Sequence, residues 1–81
     1  MSKAKELVKL IRELSDEPAV RAALEKARSR DDKYQDMGRS ARNYEWVARV
    51  ASRTIGRHFT KGVRLEAGRI LAEQEFSSRS E

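Results

Sequence analysis

An all-α fold is what the sequence predicts: a small antiparallel bundle of about four helices, the third long and kinked or interrupted at Gly38. Apolar residues return at steps of three and four through successive segments, and strand-type alternation is too sparse to build a sheet. The links between segments are short. With 81 residues the chain forms one helical domain, 1–81, whose last residues, 77–81, read as a frayed polar tail. Charged and apolar residues each make up 38%, more charge than a globular chain usually carries, yet the apolar residues fall in stripes, which argues against disorder.

The first helix spans about 3–15, because Ala4, Leu7, Val8, Ile11 and Leu14 fall on one face, widened by Leu10. Pro18 suits the first turn of a second helix, with Asp16 and Glu17 beside its positive end. That helix carries Val20, Ala23, Leu24 and Ala27 on one side and fades near Arg30. The short link predicts that these two helices form an antiparallel hairpin.

Asp31 or Asp32 offers a cap for the third helix, with Gln35 as a weak capping box. From there Tyr34, Met37, Ala41, Tyr44, Ala48, Ala51, Ile55 and His58 make a heptad-type seam. A shorter version begins at 41 with Ser40 as cap. Gly62 reads as a left-handed stop. In the fourth helix, which runs to about Phe76, Val63, Ala67, Ile70 and Leu71 lie on one side and Leu65, Ala72 and Phe76 on the other. A helix apolar on two faces must bury both, so Leu65, Ala72 and Phe76 are expected at a dimer or partner interface. A homodimer follows from that expectation.

No cysteine is present, so neither disulfides nor a cysteine metal site can form. The longest apolar runs are two or three residues, too short for a membrane span, and a soluble cytoplasmic protein is expected. Neither metal nor cofactor is expected. His58 sits on the predicted apolar face, a core-edge side chain rather than a base. Asp31, Asp32 and Asp36 lack calcium-loop spacing, and the exposed glutamates of the first and last helices have no surroundings that suggest shifted pKa values. An enzyme is not expected.

The net charge is +5, and its location is informative. Between Arg39 and Arg64 stand seven basic residues and one acid, Glu45, a local charge of +6, while the rest of the chain nets −1. At 100° per residue, Arg39, Arg42, Arg49, Arg53 and Arg57 share one side of a helix, opposite Tyr44, Val47, Ala48, Ala51, Ile55 and His58. Trp46 falls inside the arginine stripe.

Such a row matches phosphates by charge and by its forked donors, and Trp46 would stack on an unpaired base or wedge into a groove. Lys61 and Arg64 extend the patch, and Asn43, Ser52 and Thr60 stand near it as neutral hydrogen-bonding groups. The expected function is therefore a small basic protein that binds DNA or RNA. The alternative is a helical adaptor or inhibitor that grips an acidic protein with the same Arg/Trp face. The blandest reading is a solvated arginine face with Trp46 packed away. A helix-turn-helix with Gly56 at the turn is a weak match, because Arg57 stands where the motif needs an apolar residue and a second such position near Gly62 is also unmet.

Overall fold

The structure is a computed structural model that describes the backbone of residues 2–34 and 37–79 and the side chains of 2–30 and 38–77. It contains four helices: α1 (Lys3–Glu13), α2 (Pro18–Tyr34), α3 (Met37–Ile55) and α4 (Lys61–Arg79). They pack into a body of 32 × 25 × 20 Å, and no strand occurs among the described residues.

Local chemistry sets most of the helix ends. Ser2 caps α1, its side chain accepting from the Lys5 amide at 3.1 Å. Pro18 opens α2 as expected. Gly56 ends α3 with φ +68°, the Gly56 amide donating to the Arg53 carbonyl and the Arg57 amide to that of Ser52. That double bond is the Schellman pattern. The left-handed stop is therefore Gly56; Gly62 lies inside the first turn of α4, which Thr60 caps through Oγ1 to the Val63 amide.

The expected long third helix is in fact two elements. Residues 31–34 belong to α2, so Asp31 and Asp32 do not begin α3, and Gln35 and Asp36 lie outside the described residues. Gly38 falls in the first turn of α3, where no mid-helix kink arises. Continuing the helix past Arg30 keeps the backbone hydrogen-bonded, an advantage a sequence scan for caps cannot weigh. α4 runs to Arg79, past Phe76, where the sequence predicts the fourth helix to end.

The core is built around the α3–α4 pair. Tyr44, Val47, Ala48 and Ala51 of α3 meet Ala67, Leu71 and Ala72 of α4, with Leu7 and Ile11 of α1 and Val20 and Leu24 of α2 completing the cluster. Small residues let the two helices approach closely, most of all at Gly68, which lies against the α3 backbone at Ala41 and Glu45. α1 packs on α4 and α3, and α2 packs on α3. The predicted α1–α2 hairpin does not form, because a short link brings helix ends together without deciding which faces meet. Asn43 ties α3 to α2 by donating to the Ala27 carbonyl at 2.6 Å.

This packing removes the premise for self-association. α4 is apolar on two sides because α1 and α3 both pack on it. Ala72 is fully buried within the single chain, Phe76 packs against its core, and Leu65 is half-buried.

One carboxylate, Glu75, joins three helices. It is buried on α4 and accepts from Arg28 of α2 at 2.8 and 3.0 Å, with Arg12 of α1 at 3.5 Å. Burial pushes its carboxyl up, but the hydrogen bond and charge of Arg28, helped by Arg12, outweigh that and hold it below the ordinary value. Glu66, on the surface, is likewise lowered by its hydrogen bond from Arg69. The Glu75 departure is invisible in sequence, because Arg28 and Arg12 are brought to it by folding, whereas Glu66 and Arg69 are three residues apart on one helix. A lowered folded pKa contributes stability that is present above the unfolded value, about 4.3, and is lost as pH falls through the folded one. Unfolding free energy should therefore drop between about pH 5 and pH 3. The Glu75→Gln variant should show a flatter curve in urea titrations; parallel curves would contradict this.

Candidate nucleic-acid interface

α3 is the central helix, in contact with α1, α2 and α4. Its exposed side chains are Arg39, Arg42, Trp46, Arg53 and Thr54, and the first four occupy a narrow stripe. The helical spacing read from the sequence holds for Arg39, Arg42, Trp46 and Arg53, whereas Arg49 is half-buried and Arg57 lies beyond Gly56, off the helix. Trp46 is 39% exposed and is the one exposed large apolar side chain among the described residues. Arg49 is half-buried, its guanidinium 5.9 Å from the centre of the indole.

Two open clefts flank Trp46. At the α3–α4 corner, Arg49, Arg53, Arg57 and Arg64 line a cleft of about 520 Å³ together with Ser52, Gly56, His58 and Phe59. Toward the start of α3, Arg39, Arg42 and Asn43 meet Arg30 of α2 around a second cleft of about 470 Å³. Lys61 is exposed at the start of α4.

The arginines are not equivalent. Glu45, the one acid of the basic segment, is buried and accepts from Arg49 at 2.9 Å and from Arg64 Nε at 2.9 Å. Arg64 also donates to the Phe59 carbonyl. Arg57 reaches Glu6 of α1 at 2.9 Å and lies 4.9 Å from the centre of the Phe59 ring. Arg42, Arg53 and Lys61 make no ion pair among the described residues. The corner cleft thus combines held guanidiniums, whose orientation is set by carboxylates behind them, with one unpaired cation at Arg53. Four arginines against Glu45 and Glu6 leave it a local charge of +2. Forked donors in a concave site of positive charge suit a phosphate group.

Several sequence expectations are corrected here. His58 is exposed and lines the corner cleft rather than the apolar face, because Gly56 ends the helix before it and the helical angle no longer applies. Phe59 takes the buried place instead. The neutral groups are already engaged: Ser52 Oγ donates to the Ala48 carbonyl, Asn43 to Ala27, and Thr60 caps α4. Two residues of the site were missed. Arg30 lies where the sequence predicts the second helix to fade, and the three- and four-residue steps continued beyond Ala27 place it on the side of α2 that meets α3. Glu45 pairs with Arg49 at a helical i,i+4 spacing that the sequence carries, but no sequence signal shows that Arg64 joins them from α4.

No group of three or more metal-ligating side chains occurs among the described residues, and no helix is long and apolar enough to cross a membrane. No protein-family profile matches the chain, and comparison with curated proteins and with solved structures yields no match.

Proposed function

We propose that this protein binds nucleic acid through the exposed face of α3, the arginines taking phosphates and Trp46 taking a base. The observation that carries this reading is the position of Trp46: an exposed indole between two arginine-lined clefts. Leaving such a ring in water is unfavourable unless a ligand covers it, and bases offer a flat partner of the right kind. Neutralising phosphates releases counterions, which gives the binding its driving force and its salt dependence. The role proposed is recognition, carried by the arginines and Trp46.

Trp46 is its own reporter. Its emission should be that of a water-exposed indole and should be quenched on titration with nucleic acid at low salt. Replacing both Arg42 and Arg53 with alanine removes two unpaired cations and should leave the fold intact. The slope of log affinity against log salt should then shrink by about 1.5–2. An unchanged slope would remove these arginines from the interface. If no nucleic acid quenches Trp46 even at low salt, the partner is instead an acidic protein, for which Trp and Arg would be the anchoring residues.

A further inference from the structure

We infer that the ligand of this face is single-stranded nucleic acid, laid along α3 with an unpaired base on Trp46 and phosphates in the clefts on either side. This rests on the nucleic-acid function proposed above and narrows it to one class of ligand.

The first reason is the shape around α3. A helix reads duplex DNA by standing proud and entering the major groove, which at about 12 Å is scarcely wider than the helix itself. α3 is the central helix and contacts α1, α2 and α4, so much of its circumference is covered within the fold. The exposed residues Gly38, Arg39, Arg42, Trp46, Arg53 and Thr54 span about 160° of its circumference, and all but Thr54 fall within about 100°. A single strand is thin enough to lie along the stripe.

The second reason is the residue at the centre. An indole has one hydrogen-bond donor and no acceptor, so it can make at most one bond to a base edge and cannot make the paired contacts that tell bases apart. What it offers is a flat face, open only to a base that has left its stack. The ring is also held in place: buried Glu45 grips Arg49, and Arg49 lies over the indole. A base takes the other side of the ring.

The third reason is spacing. Arg42 in one cleft and Arg53 in the other are eleven residues apart on one helix, about 17 Å. A stacked strand advances about 3.4 Å per phosphate, so about five nucleotides bridge the clefts, and fewer if the strand is stretched. Arg30 closes the first cleft from α2, which makes it a further phosphate contact that helix-three spacing alone does not include.

The test uses the whole protein and fluorescein-labelled oligothymidylates and oligouridylates of about two, four, six and ten nucleotides, beside a hairpin duplex of about ten base pairs. Anisotropy and Trp46 quenching are read at matched salt. Affinity for either single strand should climb steeply to about five or six nucleotides and then level. The ten-nucleotide strand should bind about ten-fold tighter than the duplex, although the duplex carries more phosphate charge. Trp46→Ala should weaken single-strand binding about five- to a hundred-fold, and Trp46→Phe less. Arg30→Ala should weaken six nucleotides and leave two unchanged. Circular dichroism checks that each variant folds. A duplex bound as tightly as the single strand, or no rise with length, would overturn the inference while the nucleic-acid function stands. Absence of binding to every probe at low salt would overturn both.

Discussion

Replacing Gly68 with alanine is expected to destabilise the protein by about 2 kcal/mol, the sum of two opposed effects. Alanine is the better helix former by about 1 kcal/mol, which alone would raise stability. Against this, a Cβ at position 68 would meet the Ala41 carbonyl oxygen, the Glu45 nitrogen at 2.7 Å and the Glu45 Cα at 3.2 Å. These are backbone atoms of α3 and cannot rotate aside, so the helices must part. Forcing a methyl into a closed contact commonly costs about 1–3 kcal/mol and sometimes more, and backbone-to-backbone contact belongs at the upper end. A chain of this size has about 4–12 kcal/mol in total, so the melting temperature should fall by about 10 °C. Gly62→Ala is the control: nothing lies within 4 Å of a Cβ there, and stability should hold or rise slightly. A Gly68→Ala variant that melts with the wild type would mean that α3 and α4 do not approach so closely.

Glu45→Gln should cost about 2 kcal/mol, with most of the loss traced to Arg64 rather than Arg49. Glutamine keeps the shape but not the charge, and charge-assisted hydrogen bonds are each worth about 1.5–3 kcal/mol where water is excluded. Arg49 is 39% exposed and four residues away on the same helix, a geometry worth about 0.3–0.5 kcal/mol after solvent screening. Arg64 is 18% exposed, reaches from α4 and is anchored at the Phe59 carbonyl as well. A double-mutant cycle of Glu45→Gln with Arg64→Ala should therefore give about 1–2 kcal/mol of coupling, and the cycle with Arg49→Ala under about 0.5. Urea midpoints at constant slope are the readout. Equal couplings would show that Glu45 serves both arginines alike. The same carboxylate holds Arg49 over Trp46, so the folding of the corner and the posture of the proposed binding face share one residue.

The legible parts of this molecule are those that depend on neighbours in sequence. The stripe Ala4, Leu7, Val8 and Ile11 marks α1 and its buried side, and Pro18 marks the start of α2. The arginine stripe of α3 and the displacement of Trp46 into it also follow from spacing alone, because a regular helix converts sequence interval into angle. That rule stops where the helix stops. A helical angle puts His58 on the core side, but that angle ceases to apply at Gly56, which performs the left-handed stop the sequence suggests for Gly62. Asp31 and Asp32 resemble helix caps, and only the extension of α2 shows that the chain does not use them so.

By itself the sequence determined four amphipathic segments and a basic face with one tryptophan in it. Tertiary structure decided which arginines are held and which are unpaired, and where the clefts lie. Glu6 meets Arg57, Glu45 meets Arg64, and Arg28 meets Glu75 across 19 to 51 positions of chain. Such pairs arise because apolar packing brings particular helix faces together, and a side chain's burial depends on what covers it. Glu45 is the clearest instance: one acid among seven bases in sequence, it becomes a buried clasp because Gly68 lets α4 close over it.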